Sequence, residues 1–423
     1  MSHRARRAQA KRPGGSLDKP KLRPLDAIPI RQGGRVVVQL YDPARISDKV
    51  LIVPQEMVFL LSLFDGTNTI PDIQAAVMRR CGELIFSEQI EAVLKQLDEA
   101  LMLDSERFRT HLAAIAEEFR RMPLRQPASA GSAYPAEPGE LAARLDGFFD
   151  ADGGPGRPQP SRGAGRLVGL IAPHIDFERG GICYAHAYKA LAEDCAADLY
   201  VVFGIAHVAQ HAPFILTTKS FHTPLGTLKT SSDIVQALAE RYGRDPFAEE
   251  LVHRNEHSIE FQAVWLRHIV GDRPIEMLPV LCNSLDRSVG ERKAPRRVPE
   301  IADFYEALRE VVAASGRRAC FIAAADLSHI GRQFGHDFDL TPQIMQDVEH
   351  ADREMLGHVQ RLDADGFYDS LRADGNARNV CGAPAIYALL ATTNAARCDL
   401  LDYRQATDYG LQRSVTFAAL ALY

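Results

Sequence analysis

The spacing of apolar residues in the N-terminal part of the chain predicts short elements. Arg35–Tyr41 (RVVVQLY) alternates in the way a half-buried strand does. Helical spacing follows in Pro54–Phe64, which has proline in its first turn, and again in Ile70–Cys81. A third helix is predicted over Glu88–Leu101, with Ser87 as its N-cap. The pattern therefore indicates one small unit that contains a strand and three short helices.

Further along, apolar strand-like runs alternate with helical stretches. The predicted strands are Leu167–Ala172, Leu199–Gly204, Phe214–Thr217, Ile275–Leu281, Cys320–Ala325 and Ser414–Leu422. Alternation of strands and helices is typical of an α/β layered domain. A stretch in which eight of 17 residues are Gly or Pro, from 150 to 166, has the composition of a flexible insert, and 286–299 is a second, charged insert.

These patterns divide the chain into four parts. We expect a disordered basic tail over residues 1–30, a small domain over 31–105, a connecting helix over 106–123 and an α/β domain over 124–423. A chain of 423 residues is long enough for two or more domains, since a domain takes about 150 residues.

Composition narrows the class of protein. Hydrophobic residues make up 46% and charged residues 25% of the chain, as in ordinary globular proteins. Neither an apolar run of transmembrane length nor a secretory h-region is visible in the sequence, so we expect no membrane association. The seven scattered cysteines form no CxxC pair and are expected to be reduced thiols in a cytoplasmic protein.

The charge distribution argues against DNA binding. The segment from 1 to 24 holds eight Lys/Arg and one acid, which gives +7 and leaves −13 for the rest of the chain's net charge of −6. Residues 51–104 of the small domain hold three Lys/Arg and nine Asp/Glu, a net charge of −6. Because DNA binding depends on neutralising phosphates, this domain is expected to dock a protein or peptide, or to be purely structural.

Polar residues recur where predicted strands end. In an open α/β sheet such strand ends form ligand sites, so their joint placement predicts one pocket. The candidates are His174 with Asp176, His207 with His211, Glu256 with His257, Asp326 with His329, Cys381, and Asp408 before the final strand. Taken singly, each is more typical of a structural residue than of a ligand.

Nine motifs resemble, in order, those of the Memo family, whose bacterial members are called AmmeMemoRadiSam system protein B. They are PASAGSAYP, LIAPHIDFERGGICYAHAYKAL, FGIAHV, HTPLGTLKT, NEHSIEFQAVWL, LPVL, ADLSHIG, VCGAPAIYALL and DYGLQRSVTFAALAL. The resemblance implies a three-layer α/β/α sandwich like that of class III extradiol dioxygenases, with a non-haem iron pocket. The segments LLSLFDGTNTIPDIQAAV and SEQIEAVLKQLDEALML look like the PqqD-like domains of radical-SAM maturation systems, and imply a winged-helix-like α+β domain before the sandwich.

The resemblance also assigns site residues. It implies His174, His207 and Cys381 as metal ligands, and Asp326 and His329 from the family's Ser-Asp-Phe-x-His motif. One departure is Val208, where the family is expected to have the histidine that faces the metal, so that either His207 or His211 would substitute. The ligand type suits Fe(II), with Cu or Zn tolerated, and a pocket without metal stays open. From their types and positions, Asp326, His329, Glu256 and His257 are candidates for acid/base or orienting roles.

Three functions follow as hypotheses. The first is a Memo-like metal-binding protein that acts with a radical-SAM enzyme and an AMMECR-type protein in a maturation or modification pathway, with or without non-haem iron redox chemistry of its own. The second is an extradiol-type ring-cleaving dioxygenase, against which Val208 and the lack of a carboxylate ligand count. The third is a non-catalytic module that binds a peptide and no metal.

Overall fold

The chain divides into two compact units, Met1–Arg121 and Met122–Tyr423. The computed structural model describes residues 18–159, 166–208, 211–284 and 294–423. Residues 1–17 of the predicted tail, 160–165 of the first predicted insert and 286–293 of the second lie outside this described range. Within the described range every helix is too short or too polar to cross a lipid bilayer.

The first unit contains a three-stranded antiparallel sheet of order β1-β2-β3 that precedes its helices. Its elements are β1 (Asp26–Gln32), β2 (Arg35–Tyr41), β3 (Leu51–Pro54), α1 (Met57–Ser62), α2 (Ile70–Cys81), α3 (Ser87–Glu99) and α4 (Glu106–Arg121). One core joins strand residues such as Val38 and Leu40 to helix residues such as Ile73 and Ile90. The helix expected as a connector is α4, and it clusters with this unit.

Two predictions for the first unit are wrong. Residues 26–30, expected in the tail, belong to β1, and Leu22 already bridges to Leu103. The composition of this segment does not show that it is folded, because its contacts are made with residues distant in sequence. The Arg23 guanidinium, for example, donates to Asp42 Oδ2 at 3.0 Å. The cap of α3 is Phe86 rather than Ser87, and the Phe86 amide donates to a side chain one turn into the helix.

The second unit is a mixed sheet with helices on both faces, as the α/β prediction requires. Its strands are β4 (Leu124–Arg125), β5 (Gly169–Ala172), β6 (Leu199–Ile205), β7 (Phe214–Leu216), β8 (Ser220–Thr223), β9 (Gly226–Thr230), β10 (Glu276–Cys282), β11 (Ala319–Ala324), β12 (Asp326–Gly331), β13 (Cys398–Asp408) and β14 (Arg413–Leu422). Its helices are α5 (Pro138–Asp150), α6 (Phe177–Asp194), α7 (Ser232–Tyr242), α8 (His257–Val270), α9 (Pro299–Ala314), α10 (Pro342–Gln360), α11 (Ala364–Asp374) and α12 (Ala383–Thr392).

The order of the large sheet is β12-β14-β5-β11-β6-β10-β9-β8-β4, with β13 beside β14 and β7 beside β10. Strands β5, β11, β6 and β10 at its centre run parallel to one another. Alternate residues of β6 enter two different cores: Val201 packs on one face of the sheet and Val202 on the other. A sheet covered on both faces explains why these strands read as continuous apolar runs in the sequence.

The core on one face is rich in aromatic side chains. Trp265 of α8 is fully buried there and stacks on the rings of Tyr184 and Tyr188. Phe177, the first residue of α6, closes the same cluster at 6.1 Å from the tryptophan ring. This packing fixes the start of α6, which directly follows the loop that carries His174.

Candidate functional site

The site lies where the central parallel strands end. His174 comes two residues after β5, His207 two residues after β6, and Asp326 two residues after β11. Because β5 and β6 both pair in parallel with β11, these three positions meet at one edge of the sheet. The sequence prediction that polar residues gather at strand ends agrees with this geometry.

Cys381 reaches the same edge from the turn before α12. Its Sγ lies 3.2 Å from Nε2 of His174 and 4.0 Å from Nε2 of His329. The next residue, Gly382, donates its amide to the backbone oxygen of Asp326 at 3.0 Å. A Cβ at Gly382 would lie 2.3 Å from that same oxygen, so only glycine lets the Cys381 turn pack this closely against β12.

Asp326 fixes the loop that carries His174. Its Oδ1 accepts the backbone amides of His174 at 2.9 Å and of Ile175 at 3.2 Å. The carboxylate is buried, and burial raises the pKa of Asp326 despite these donors and the nearby His329. Its Oδ2 is 3.7 Å from Nε2 of His174, too far for a hydrogen bond. Asp326 therefore positions the backbone of the loop that carries His174 and makes no hydrogen bond to the imidazole itself.

Asp326 and His329 lie within strand β12, and not in a loop after a strand as the sequence suggested. Residues three apart on a regular strand face opposite sides of a sheet. The register of β12 against β14 shifts between these two residues, and such a bulge re-aims the side chains on either side of it. Both side chains thereby reach the pocket.

Strand β12 is held in place by a buried carboxylate, Asp352, that the sequence patterns did not identify. Asp352 of α10 accepts hydrogen bonds from Ser328 at 2.6 Å, Arg378 at 2.8 Å and Tyr403 at 3.0 Å. Arg378 in turn accepts the amide of His329 through its carbonyl at 2.7 Å. The available signal was the position of an acid among the apolar residues of a helical pattern.

Glu256 and His257 enter the site from the N-terminus of α8. Glu256 caps this helix, and its Oε1 accepts the amide of Ser258 at 2.9 Å. Its Oε2 lies 2.9 Å from Nδ1 of His207, and its Oε1 lies 3.3 Å from Nδ1 of His257. The two imidazole rings are nearly parallel, with centroids 5.2 Å apart.

The backbone of Glu256 is anchored by a second buried network that the sequence reasoning missed. The Arg125 guanidinium donates to the carbonyl of Glu256 at 2.7 Å and pairs with the carboxylate of Glu260. Glu260 also accepts the hydroxyl of Tyr134 at 2.5 Å and the amide of Ser129 at 2.9 Å. An acid inside the apolar stretch SIEFQAVWL was the visible signal for such a partner.

Three pocket histidines share one tautomer. Nδ1 of His174 lies 2.9 Å from the carbonyl of Ala324, and Nδ1 of His329 lies 3.1 Å from that of Leu327. A carbonyl can only accept, so Nδ1 carries the proton in these two rings, and the hydrogen bond to the Glu256 carboxylate favours the same state in neutral His207. In each neutral ring Nε2 is then an unprotonated donor atom, which is the state a metal ligand requires.

The protonation tendencies of the site differ between its members. Burial, with a contribution from His207, lowers the pKa of His174 to about 4. At His207 burial works against the imidazolium, but the Glu256 carboxylate outweighs it and raises the pKa. Burial, and then Asp326, raises the pKa of the Cys381 thiol well above its ordinary value.

Within the described residues, two groups of side chains have the spacing of metal ligands. One is His174, His207 and Cys381, and the other is His207, Glu256 and His257; in each group the donor atoms lie within 4.8 Å of one another. Two neutral imidazole nitrogens and a thiol fit a transition-metal ion such as iron or zinc.

The remaining sequence candidates lie elsewhere. His211 is exposed, outside both groups, and donates its amide to Glu249. Asp176 caps α6 and pairs with Arg179, and Asp408 ends β13 in the turn before β14. The imidazole beside His174 is therefore that of His207 and not that of His211, and the centroids of the His174 and His207 rings lie 5.2 Å apart. The replacement of the family's histidine by Val208 thus leaves an imidazole in this place.

Comparison with known proteins supports the family that the motifs indicate. The family model described as Memo-like protein matches residues 125–422. A MEMO1 family protein of Aquifex aeolicus is 29% identical over 96% of this chain and 100% of its own length. One from Methanosarcina acetivorans is 31% identical over 68% of this chain and 94% of its own length. The archaeal match spans about the length of the second unit, whereas the Aquifex match takes in both units. Because the family model covers most of the sequence, the chain belongs to the Memo-like protein family.

Proposed function

We propose that this protein binds one divalent transition-metal ion, preferably Fe(II), through His174, His207 and Cys381. The observation that carries the proposal is the meeting of three donor atoms within 4.8 Å of one another, although the residues lie up to 207 positions apart. Each donor comes from a different element, and the tautomers of both imidazoles are fixed by oxygen acceptors. Zinc and copper suit the same donor set, because a thiolate is a softer ligand than a carboxylate.

A bound ion would supply Lewis acidity, or a redox centre, to a small ligand. Around it, His329 and His257 each present an unprotonated Nε2 that can accept a proton from such a ligand. Asp326 accepts two backbone amides of the His174 loop, so its carboxylate is used to hold that loop. The roles of His329 and His257 are therefore proton transfer, and that of Asp326 is positioning.

Metal analysis tests the proposal. Protein purified without chelator, or loaded anaerobically with Fe(II), should contain about one equivalent of metal. His174→Ala and Cys381→Ser should each weaken binding by more than about 100-fold, since each removes a ligand outright. Cys81→Ser, at an exposed thiol, is the matched control and should change nothing. Less than about a tenth of an equivalent in the wild-type protein after loading would favour the peptide-binding alternative.

We also propose that the first unit docks a partner, namely a radical-SAM enzyme of a cytoplasmic maturation pathway, its AMMECR-type companion or a peptide substrate. The support is a surface that combines acidic charge with exposed apolar residues, including Ile52, Leu84 and Phe86. Full-length protein should copurify with the radical-SAM enzyme of the same genome. Leu84→Asp combined with Phe86→Asp should abolish this, whereas Leu411→Asp, an equally exposed leucine in the second unit, should not.

Ring cleavage of the extradiol type is the second candidate, because the unprotonated His329 lies beside the proposed ligands, with its Nε2 4.0 Å from Cys381 Sγ. An oxygen electrode with Fe(II)-loaded protein and catechol decides between a binding role and this activity. Oxygen uptake that is lost in His329→Gln, with metal content unchanged, would favour ring cleavage. Uptake equal to that of free Fe(II) would remove this candidate.

A further inference from the structure

Glu256 is placed between two imidazoles, and its carboxylate is almost completely buried. One oxygen, Oε2, lies 2.9 Å from Nδ1 of His207 and also accepts the His207 amide at 3.3 Å. The other oxygen, Oε1, lies 3.3 Å from Nδ1 of His257 and accepts the Ser258 amide. The hydrogen bonds of the carboxylate therefore go to His207 and Ser258, and His257 lies at ion-pair distance from Oε1.

We propose that Glu256 is a positioning residue that fixes two imidazoles at once, presenting Nε2 of His207 to the metal and Nε2 of His257 to the pocket-bound ligand. A carboxylate can only accept, so it forces the proton of each neutral ring onto Nδ1. The two rings lie within 9° of parallel. The part of the inference that concerns metal rests on the proposed function, whereas the part that concerns tautomers stands on the metal-free protein.

The same geometry distinguishes this role from a second metal site. His207, Glu256 and His257 have ligand-like spacing, but an ion held through Nδ1 of His207 would have to replace the proton that this nitrogen shares with Glu256. His207 would then need to lose both ring protons in order to serve two ions. As an acceptor of N–H groups, Glu256 is instead the outer member of a carboxylate–histidine–metal arrangement.

His257 gains a function from this arrangement. About a third of its side chain is exposed, with 38% accessible, and its ring centroid lies 5.7 Å from that of His174. It lies outside the ligand group of His174, His207 and Cys381. With the Glu256 carboxylate 3.3 Å from Nδ1 and favouring a proton there, Nε2 of His257 is proposed to act as a proton acceptor beside the metal position.

Nitrogen NMR of the metal-free, full-length protein tests the tautomers directly. With ¹⁵N-labelled histidine, signals assigned through His207→Gln and His257→Gln should show protonated Nδ1 and unprotonated Nε2 for both residues at pH 8. The proposal is overturned if either ring is found in the Nε2–H form in the wild-type protein. This measurement requires neither a metal nor a Glu256 variant.

Glu256→Gln sharpens the test, because an amide offers one acceptor and one donor. At least one of the two rings should switch to the Nε2–H form, while His174 and His329, whose Nδ1 atoms face backbone carbonyls, should not change. Zinc affinity measured by calorimetry should fall about 10- to 100-fold, as is typical for the loss of such an outer partner. Glu249→Gln, which neutralises a carboxylate that accepts the His211 amide in the same region, is the control and should bind zinc like the wild type.

Two outcomes would contradict the inference. Unchanged tautomers in folded Glu256→Gln protein would show that the carboxylate does not select them. Binding of two zinc ions per wild-type chain, with the second lost in His257→Gln, would show that this group is a metal site instead. Absence of zinc binding in a wild-type protein with the expected tautomers would defeat only the proposed function.

Discussion

The two halves of the pocket hold their imidazoles by different means. His174 and His329 direct Nδ1 at backbone carbonyls of β11 and β12, whereas His207 and His257 direct Nδ1 at the carboxylate of Glu256. The first half is built into the sheet and is mostly enclosed. The second half depends on one side chain at a helix N-terminus, and about a third of each ring is exposed.

The difference affects the charge that His174 and His207 can carry. A carbonyl leaves His174 neutral, and burial lowers its pKa to about 4. A carboxylate favours an imidazolium, so the pKa of His207 is raised although burial acts against it. His207 thus holds a proton more readily than His174, whereas burial lowers the pKa of its neighbour His257 to about 4 although Glu256 acts against this.

The largest effect on stability and metal binding is expected from a substitution at Gly382, in the half of the pocket that is built into the sheet. Gly382→Ala places a Cβ 2.3 Å from the Asp326 oxygen and 2.6 Å from the Ala325 Cβ, so the Cys381 turn must move. Overpacking of this kind should lower the free energy of unfolding by about 3 kcal/mol and abolish metal binding. Gly147→Ala, in helix α5 with open space around the new Cβ, is the control and should be neutral or stabilising in urea denaturation.

Acid should act with opposite sign on His174 and His207. The unfolded chain protonates His174 near pH 6.5 but the folded chain only near pH 4, so the stability this residue contributes is present above pH 6.5 and is lost on acidification towards pH 4. The loss amounts to about 3 kcal/mol for a buried group. His207, with its raised pKa, contributes in the opposite sense: its stabilisation is present in acid and is lost as the pH rises through the folded pKa.

Urea denaturation of metal-free protein at a series of pH values measures both contributions. His174→Gln should weaken the acid sensitivity between pH 6.5 and 4, and His207→Gln should strengthen it. Equal pH profiles for the two variants would refute the opposite protonation tendencies of His174 and His207.

Metal binding should release a proton from Cys381. Because burial keeps its pKa well above the ordinary value, the thiol is protonated in the metal-free protein at neutral pH. Zinc affinity should therefore rise about tenfold per pH unit above pH 7, and more steeply in the range where His207 also holds a proton. Calorimetry in two buffers of different ionisation enthalpy counts the protons. A Cys381→Ser variant that keeps the wild-type slope would exclude the thiol as the source.

The smallest effect is expected at His211. It is exposed and contacts Glu249 through its backbone, so His211→Ala should change stability by less than about 0.5 kcal/mol and zinc affinity by less than about twofold. The informative contrast is with His207→Ala, which should lose most of the metal. If His211→Ala weakened binding as much as His207→Ala, the ligand group drawn here would be wrong.

Sequence patterns predicted the centre of the sheet better than its edge. The buried parallel strands read as apolar runs, and their ends were located to within about two residues. Strand β13 was not predicted, because most of its residues are only half buried and alternate weakly. Strand β12 was missed because its polar residues looked like a loop, and the bulge that aims Asp326 and His329 depends on pairing with the distant β14.

The site residues could be proposed from motifs, but their supporting contacts could not. Nothing local tells that Glu256 contacts the ring of His207, 49 positions away, or that Arg125 reaches the Glu256 carbonyl across 131 positions. The position of Val208 suggested that the pocket histidine was lost or displaced, because a motif cannot say which of two adjacent side chains faces inward. That choice depends on where β6 ends, at Ile205.

The buried Trp265 gives the protein an internal reporter. It is the sole tryptophan of the chain, and its indole nitrogen has no hydrogen-bond partner among the described atoms. Indole fluorescence should therefore be blue-shifted, and its red shift on denaturation should follow the second unit alone. The first unit lacks tryptophan, so a far-UV circular dichroism transition that does not coincide with the fluorescence transition would reveal separate melting of the two units.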